Sequence, residues 1–239
     1  MKTTNLLISA LAILFVFAGC TTINFKPQTN AVSVVVDLTD QFIAKPKPDE
    51  ILSFLNSGKN IWDGRIFNLR YITNVSYNPM FEKKIEEQNE LLGNRYDRPK
   101  KVKQYNDEVK EIIISSATKE DIGRDNSEVW FSIATELNQL SQSGADKKVL
   151  LVYSDLMENS KRMSFYANDT WNLLKSNPIE IKEYFDSLVK LGDLKGVMVY
   201  FIYQPKNTTD DENFRIASQL YKSMLEAKGA TVHISANIN

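Results

Sequence analysis

Three short stretches bring oxygen donors to the ends of apolar or amphipathic segments. "VSVVVDLTDQ", residues 32–41, runs β-branched residues straight into Asp37, Thr39, Asp40 and Gln41. "KKVLLVYSD", residues 147–155, repeats the pattern and ends in a hydroxyl and the carboxylate of Asp155. Ser127 stands at the head of an amphipathic segment that follows a long polar stretch. Hydroxyl and carboxylate oxygens gathered at octahedral spacing suit a hard divalent cation such as Mg2+, which keeps several of its waters. Polar turns placed for solubility use the same residues, so the elements that carry them have to decide.

Those elements alternate in type. Residues 31–37 carry four valines and no charge before Asp37, a β-branched run as expected of a central strand covered on both faces. "PDEILSFLN", 48–56, predicts a short helix with Pro and two acids at its start, and 65–73 predicts a strand. Residues 79–120 interleave Lys, Arg, Glu and Asp around Pro99, with Val102, Tyr105, Val109 and Ile112 at helical spacing, which predicts a charged helical insertion with one packed face. The segment 127–140 carries Val129, Ile133, Leu137 and Leu140 on one helical stripe. Strands at 147–155, 196–203 and 231–235, and helices at 178–191 and 210–229, complete the chain. This alternation predicts an α/β fold over residues 31–239: a doubly wound, mostly parallel sheet with helices on both faces. In such a sheet the carboxyl ends of the strands share one edge, and ligands bind where the strand order reverses.

Composition narrows the function. Lys and Arg number 29 against 30 Asp and Glu, so the chain lacks the basic field that nucleic-acid binding needs. The cluster "RPKKVK" at 98–103 offers a phosphate or lipid-headgroup patch, but opposite charges are mixed within each turn, which favours a solvated helical face. His233 is the sole histidine and no Gly-x-Ser-x-Gly is present, so serine hydrolysis has no support. A magnesium-dependent phosphohydrolase with Asp37 as nucleophile would need an acid two residues on, where Thr39 stands. Trp62, Trp130 and Trp171 are candidate partner anchors, although Trp130 lies beside the helical stripe and reads as core.

The N-terminus has the proportions of a secretory signal: one Lys, an apolar stretch from Leu6 to Ala18, then small residues. Its ending, "FAGC", resembles the lipobox of bacterial lipoproteins. That resemblance implies a signal peptide over 1–19, a lipidated Cys20 as mature N-terminus and a polar tether through residue 30. It also implies a bacterial cell-envelope location, with Thr21 after the Cys pointing to the outer membrane. Cys20 is the only cysteine, so no thiol remains for a disulfide or a metal.

The whole pattern from 31 to 239 resembles the von Willebrand factor A domain, a Rossmann-like fold. Its metal-ion-dependent adhesion site uses Asp-x-Ser/Thr-x-Ser after the first strand, a Thr or Ser before a central helix, and a late Asp, commonly in "SDG". Asp37 and Thr39 match the first two positions, Ser127 the hydroxyl before the helix, and Asp155 in "VYSDLMEN" the late Asp. Gln41 stands where Ser is usual, with Asp40 as a substitute donor, and Leu156 stands where Gly is usual. The resemblance implies a non-catalytic, lipid-anchored binding module that holds Mg2+ or Mn2+ and docks a protein partner through an acidic side chain. A metal-free scaffold of the same fold is the alternative.

Overall fold

The first apolar run forms a nine-residue strand, β1 (Thr29–Asp37), in which every residue after Thr29 is buried. The computed structural model describes residues 26–39, 44–72, 80–118 and 126–237. The expected signal peptide, Cys20 and the candidate donors Asp40 and Gln41 therefore lie outside the described residues. β1 pairs in parallel with β2 (Gly64–Ile72) on one side and β4 (Lys147–Tyr153) on the other. β5 (Val197–Ile202) and β6 (Thr231–Ser235) extend the parallel array, and β3 (Met80–Ile85) closes the far edge antiparallel to β2. The order β3-β2-β1-β4-β5-β6 is that of a doubly wound sheet, with its switch point between β1 and β4.

Register assigns the two faces. Paired residues point the same way, so Val32, Val34 and Val36 share a face with Phe67, Leu69 and Tyr71. This face is covered by α1 (Pro48–Leu55), against which α2 (Asp97–Ala117) packs. Ser33, Val35 and Asp37 point to the opposite face with Asn68, Arg70, Leu150 and Val152. There lies α3 (Val129–Ser141), whose Val129, Ile133, Leu137 and Leu140 are all buried as the stripe predicts. The short α4 (Asn168–Ser176) precedes α5 (Pro178–Leu188) and α6 (Thr208–Glu226) on that side. Trp130 of α3 stacks on Phe185 of α5 at 5.1 Å, and its indole N–H donates to the Phe185 carbonyl at 2.7 Å. Tyr221 of α6 joins that cluster and meets Phe201 of β5 edge-on. Helices on both faces of a mostly parallel sheet are thus observed.

The charged stretch 79–120 needs correction. Its first part is strand β3 rather than helix, and the helix is confined to Asp97–Ala117. "MFEKKI" buries none of its side chains fully, so it lacks the alternation that marks a half-buried strand; its backbone ladder to β2 holds it, helped by Phe81 edge-on to Tyr71 and by Ile85 against the rim of the core. Along α2 the expected Ile112 packs partly buried against the core, while the fully buried stripe runs through Ile113 to Ser116. Arg98, at the head of the basic cluster, is buried and donates to the carbonyls of Ile61 and Asp63 at 2.7 Å each, which removes it from any surface patch. α4 was not apparent from the sequence, because Leu174 is its only buried residue. β1 begins at Thr29, two residues inside the expected tether.

Candidate functional site

Asp37 is the last residue of β1, and its carboxylate turns under the head of α3 at the switch point. It is 3% exposed and accepts four hydrogen bonds. Oδ1 receives the Thr39 backbone N–H at 2.9 Å and the Thr39 hydroxyl at 2.7 Å, a local turn that follows from an Asp two residues before a Thr. Oδ2 receives Ser127 Oγ at 3.1 Å and Ser154 Oγ at 3.0 Å. Of the predicted positions, the structure brings Asp37, Thr39 and Ser127 into one hydrogen-bonded group, while Asp155 stands beside them in sequence only, next to Ser154 in the loop after β4.

Each partner is held from outside the site. Ser127 exchanges backbone hydrogen bonds of 2.8 and 2.9 Å with Asn159, so the segment before α3 is stitched to the loop after β4. Ser154 also accepts Leu156 N–H at 2.9 Å. Asp155, 8% exposed, accepts Met157 N–H at 2.9 Å on Oδ1 and the Tyr166 hydroxyl at 3.3 Å on Oδ2. Leu156 takes φ 61°, the left-handed region where a side chain is strained, and is completely buried there. The loop thus keeps a backbone shape suited to glycine while carrying leucine.

Sequence reasoning missed four participants. Ser154 was visible only as part of a strand end, and Tyr166 lies 11 residues beyond the carboxylate it contacts. Glu158 is 1% exposed and accepts the Trp130 N–H at 2.9 Å, capping the start of α3 with an acid. Burial pushes its carboxyl up to about 8; the Trp130 and Val129 backbone donors oppose that, and the charges of Glu128 and Asp37 add to it. Tyr221 is raised well above its ordinary value by burial and by the charges of Glu158, Asp155 and Asp37; its hydroxyl lies by Glu158 without a hydrogen bond of ordinary geometry. An acid three residues after Asp155 was a signal in the sequence; Tyr221, on the buried stripe of α6, offered none.

The electrostatics of this edge differ from those elsewhere in the core. Glu136, also fully buried, is paired with Arg70 at 2.9 Å. Among the described residues, neither Asp37 nor Glu158 has an ion-pair partner, and burial raises the Asp37 carboxyl despite its hydrogen bonds from Thr39, Ser154 and Ser127. Buried carboxylates without a basic partner are costly unless a cation compensates them or they take up a proton. An ionised carboxylate only accepts, so the hydroxyls of Thr39 and Ser127 spend their one proton on Asp37 and keep their lone pairs for something else. The donor set is hard and all-oxygen, as Mg2+ or Mn2+ requires. It is also incomplete, because among the described residues no three His, Cys, Asp or Glu side chains form a metal-holding group. These residues fit a cation that retains water and takes a further ligand from outside, and they do not form a closed cage.

No family model matches the chain, and no curated protein or solved structure matches it.

Proposed function

We propose that this protein is a lipid-anchored binding module of the bacterial cell envelope, of von Willebrand factor A type. It docks a protein partner at the carboxyl edge of its sheet through a divalent cation. The observation that carries the reading is Asp37: a buried carboxylate at the switch point, ringed by hydroxyls and with no basic partner among the described residues. Thr39 and Ser127 would offer hydroxyl oxygens to Mg2+ or Mn2+, and Asp37 and Asp155 would offer or orient charge. The cation would supply an electropositive point for a partner's carboxylate.

No catalytic step is part of this reading. Asp37, the nucleophile of a phosphohydrolase alternative, is buried with both oxygens accepting hydrogen bonds, and Thr39 stands where that alternative needs an acid. The anchor is inferred from "FAGC" and Cys20; among the described residues no helix is long and apolar enough to cross a membrane.

A metal-free scaffold is the second reading, favoured by the four hydrogen bonds that already satisfy Asp37. Calorimetric titration of the full chain in detergent with Mg2+ and Mn2+, beside Asp37→Ala, separates the two. Saturable binding lost in the variant supports the cation; no binding by a well-folded wild type leaves the scaffold.

A further inference from the structure

The end of the sheet opposite the carboxylates exposes an apolar group on a rigid support. Leu91 and Leu92, adjacent in the connection between β3 and α2, are 81% and 89% exposed, and Tyr96, four residues beyond Leu92 in the same connection, is 93% exposed. Side chains of this kind stand almost wholly in solvent only when something else covers them or when they are scattered, and these three lie within six residues.

Their backbone is pinned on both sides. Leu92 and Gly93 N–H donate to the Asn89 carbonyl at 3.2 and 2.8 Å, and the Asn89 side chain accepts Leu91 N–H at 2.8 Å. Gly93 lies against the buried Trp62 ring, where any Cβ would collide with it. Asn94 Oδ1 accepts the N–H groups of Tyr96 and Asp97 at 2.9 and 3.2 Å, and Arg98 ties the following turn to the 61–63 carbonyls. The turn therefore holds its leucines outward.

The chain enters the fold at this same end. Thr29, the first residue of β1, donates its hydroxyl to Glu87 at 3.0 Å; Gly64 N–H donates to Gln28 and Gln88 N–H to Trp62, both at 3.0 Å. Upstream of Thr29 lie Cys20 and the apolar Leu6–Ala18 stretch. Nine residues of extended chain reach at most about 30 Å, so a bilayer holding Cys20 is within reach of this face.

We infer that this end is a bilayer-docking surface: Leu91, Leu92 and Tyr96 enter the headgroup region of the membrane that anchors the chain, an inference that rests on the anchor proposed above. Leucine with tyrosine suits that boundary, where one end of a ring is apolar and the other wet. Residues 86–103 carry Glu86, Glu87, Glu90 and Asp97 against Arg95, Arg98, Lys100, Lys101 and Lys103, a near balance with Arg95 paired to Glu90 at 3.1 Å, so docking is apolar and insensitive to salt. β1 then stands between membrane and site, and its nine residues hold Asp37 roughly 30 Å from the bilayer side of the sheet, facing a partner.

The test places an environment-sensitive maleimide dye on Leu92→Cys or, at the opposite edge, on Lys161→Cys, with the full chain held one copy per phosphatidylcholine nanodisc. A blue-shifted Leu92 label quenched by spin-labelled lipid, beside an unshifted Lys161 label, both unchanged in high salt, supports docking. With the label moved to Tyr96→Cys, replacing Leu91 and Leu92 by Ser then removes most of the shift. A water-like Leu92 label in a chain whose Cys20 stays unreactive overturns docking and leaves the anchor standing. A reactive Cys20 in a wild-type chain that washes off the bilayer removes the anchor and the docking together. A shift that appears only when several copies share a bilayer assigns the face to a second copy and overturns the inference.

Discussion

Ser154, the residue after β4, donates its hydroxyl to the carboxylate with which β1 ends, at 3.0 Å between Oγ and Asp37 Oδ2. The two strands flank the switch point, so this bond closes the crevice from below while Ser127 closes it from the side of α3. Ser154 also accepts Leu156 N–H, and through that one hydroxyl the shape of the β4 loop is coupled to Asp37.

Ser154→Ala removes both bonds and leaves buried groups unsatisfied. A loss of about 1–3 kcal/mol is expected by chemical denaturation. Cation affinity should weaken without vanishing, because Thr39 and Ser127 keep their places. An unchanged denaturation midpoint would show that the coupling carries no energy.

Asp37→Asn and Glu136→Gln should differ in their cost to stability in metal-free buffer. Glu136→Gln leaves the buried Arg70 without its counter-charge, at a cost of about 3 kcal/mol. Asp37→Asn strips no basic partner and removes a carboxylate that burial disfavours, which offsets the hydrogen bonds lost where the amide NH2 replaces an acceptor oxygen, so its loss of melting temperature should be clearly smaller. Added Mg2+ should then raise the melting temperature of wild type and the Glu136 variant alone. Equal destabilisation by both substitutions would make Asp37 a structural acid.

Much of this arrangement was legible because it lies at strand ends. Continuous apolar runs locate β1 and β4, and the residue after such a run falls at the sheet edge, which is how Asp37 and Asp155 were found. Ser127 was found because the stripe from Val129 to Leu140 fixes where α3 begins. Glu158, Tyr166 and Tyr221 reach the same place through a loop and a distant helix, and no periodicity records such an approach. β3 was hidden for another reason: an edge strand with no fully buried side chain is specified by its neighbour's backbone, which composition does not reveal.

Position 156 offers a clean separation of packing from backbone strain. Leu156→Ala loses buried methylenes and keeps a side chain at φ 61°, whereas Leu156→Gly loses the same packing and relieves the strain. Both should be less stable than wild type, by about 2–5 kcal/mol for the alanine variant. Glycine should then be more stable than alanine by about 1 kcal/mol, the reverse of the usual order. Alanine equal to or better than glycine would mean that the loop relaxes out of the left-handed region.

Glu158 should make the protein lose stability as pH rises. Its carboxyl titrates near 4.5 when unfolded and is pushed up to about 8 in the fold. Between those values the native state holds the proton that the unfolded state has released, so stability falls steadily across the window and levels off above it. Glu158→Gln keeps an oxygen to accept Trp130 N–H and has no proton to lose. Its melting temperature should therefore decline less from pH 5 to 8 than that of wild type, with the gap widening in the variant's favour by several degrees. Parallel pH profiles for the two proteins would mean that Glu158 is ionised at neutral pH and compensated from outside the hydrogen bonds seen at the head of α3.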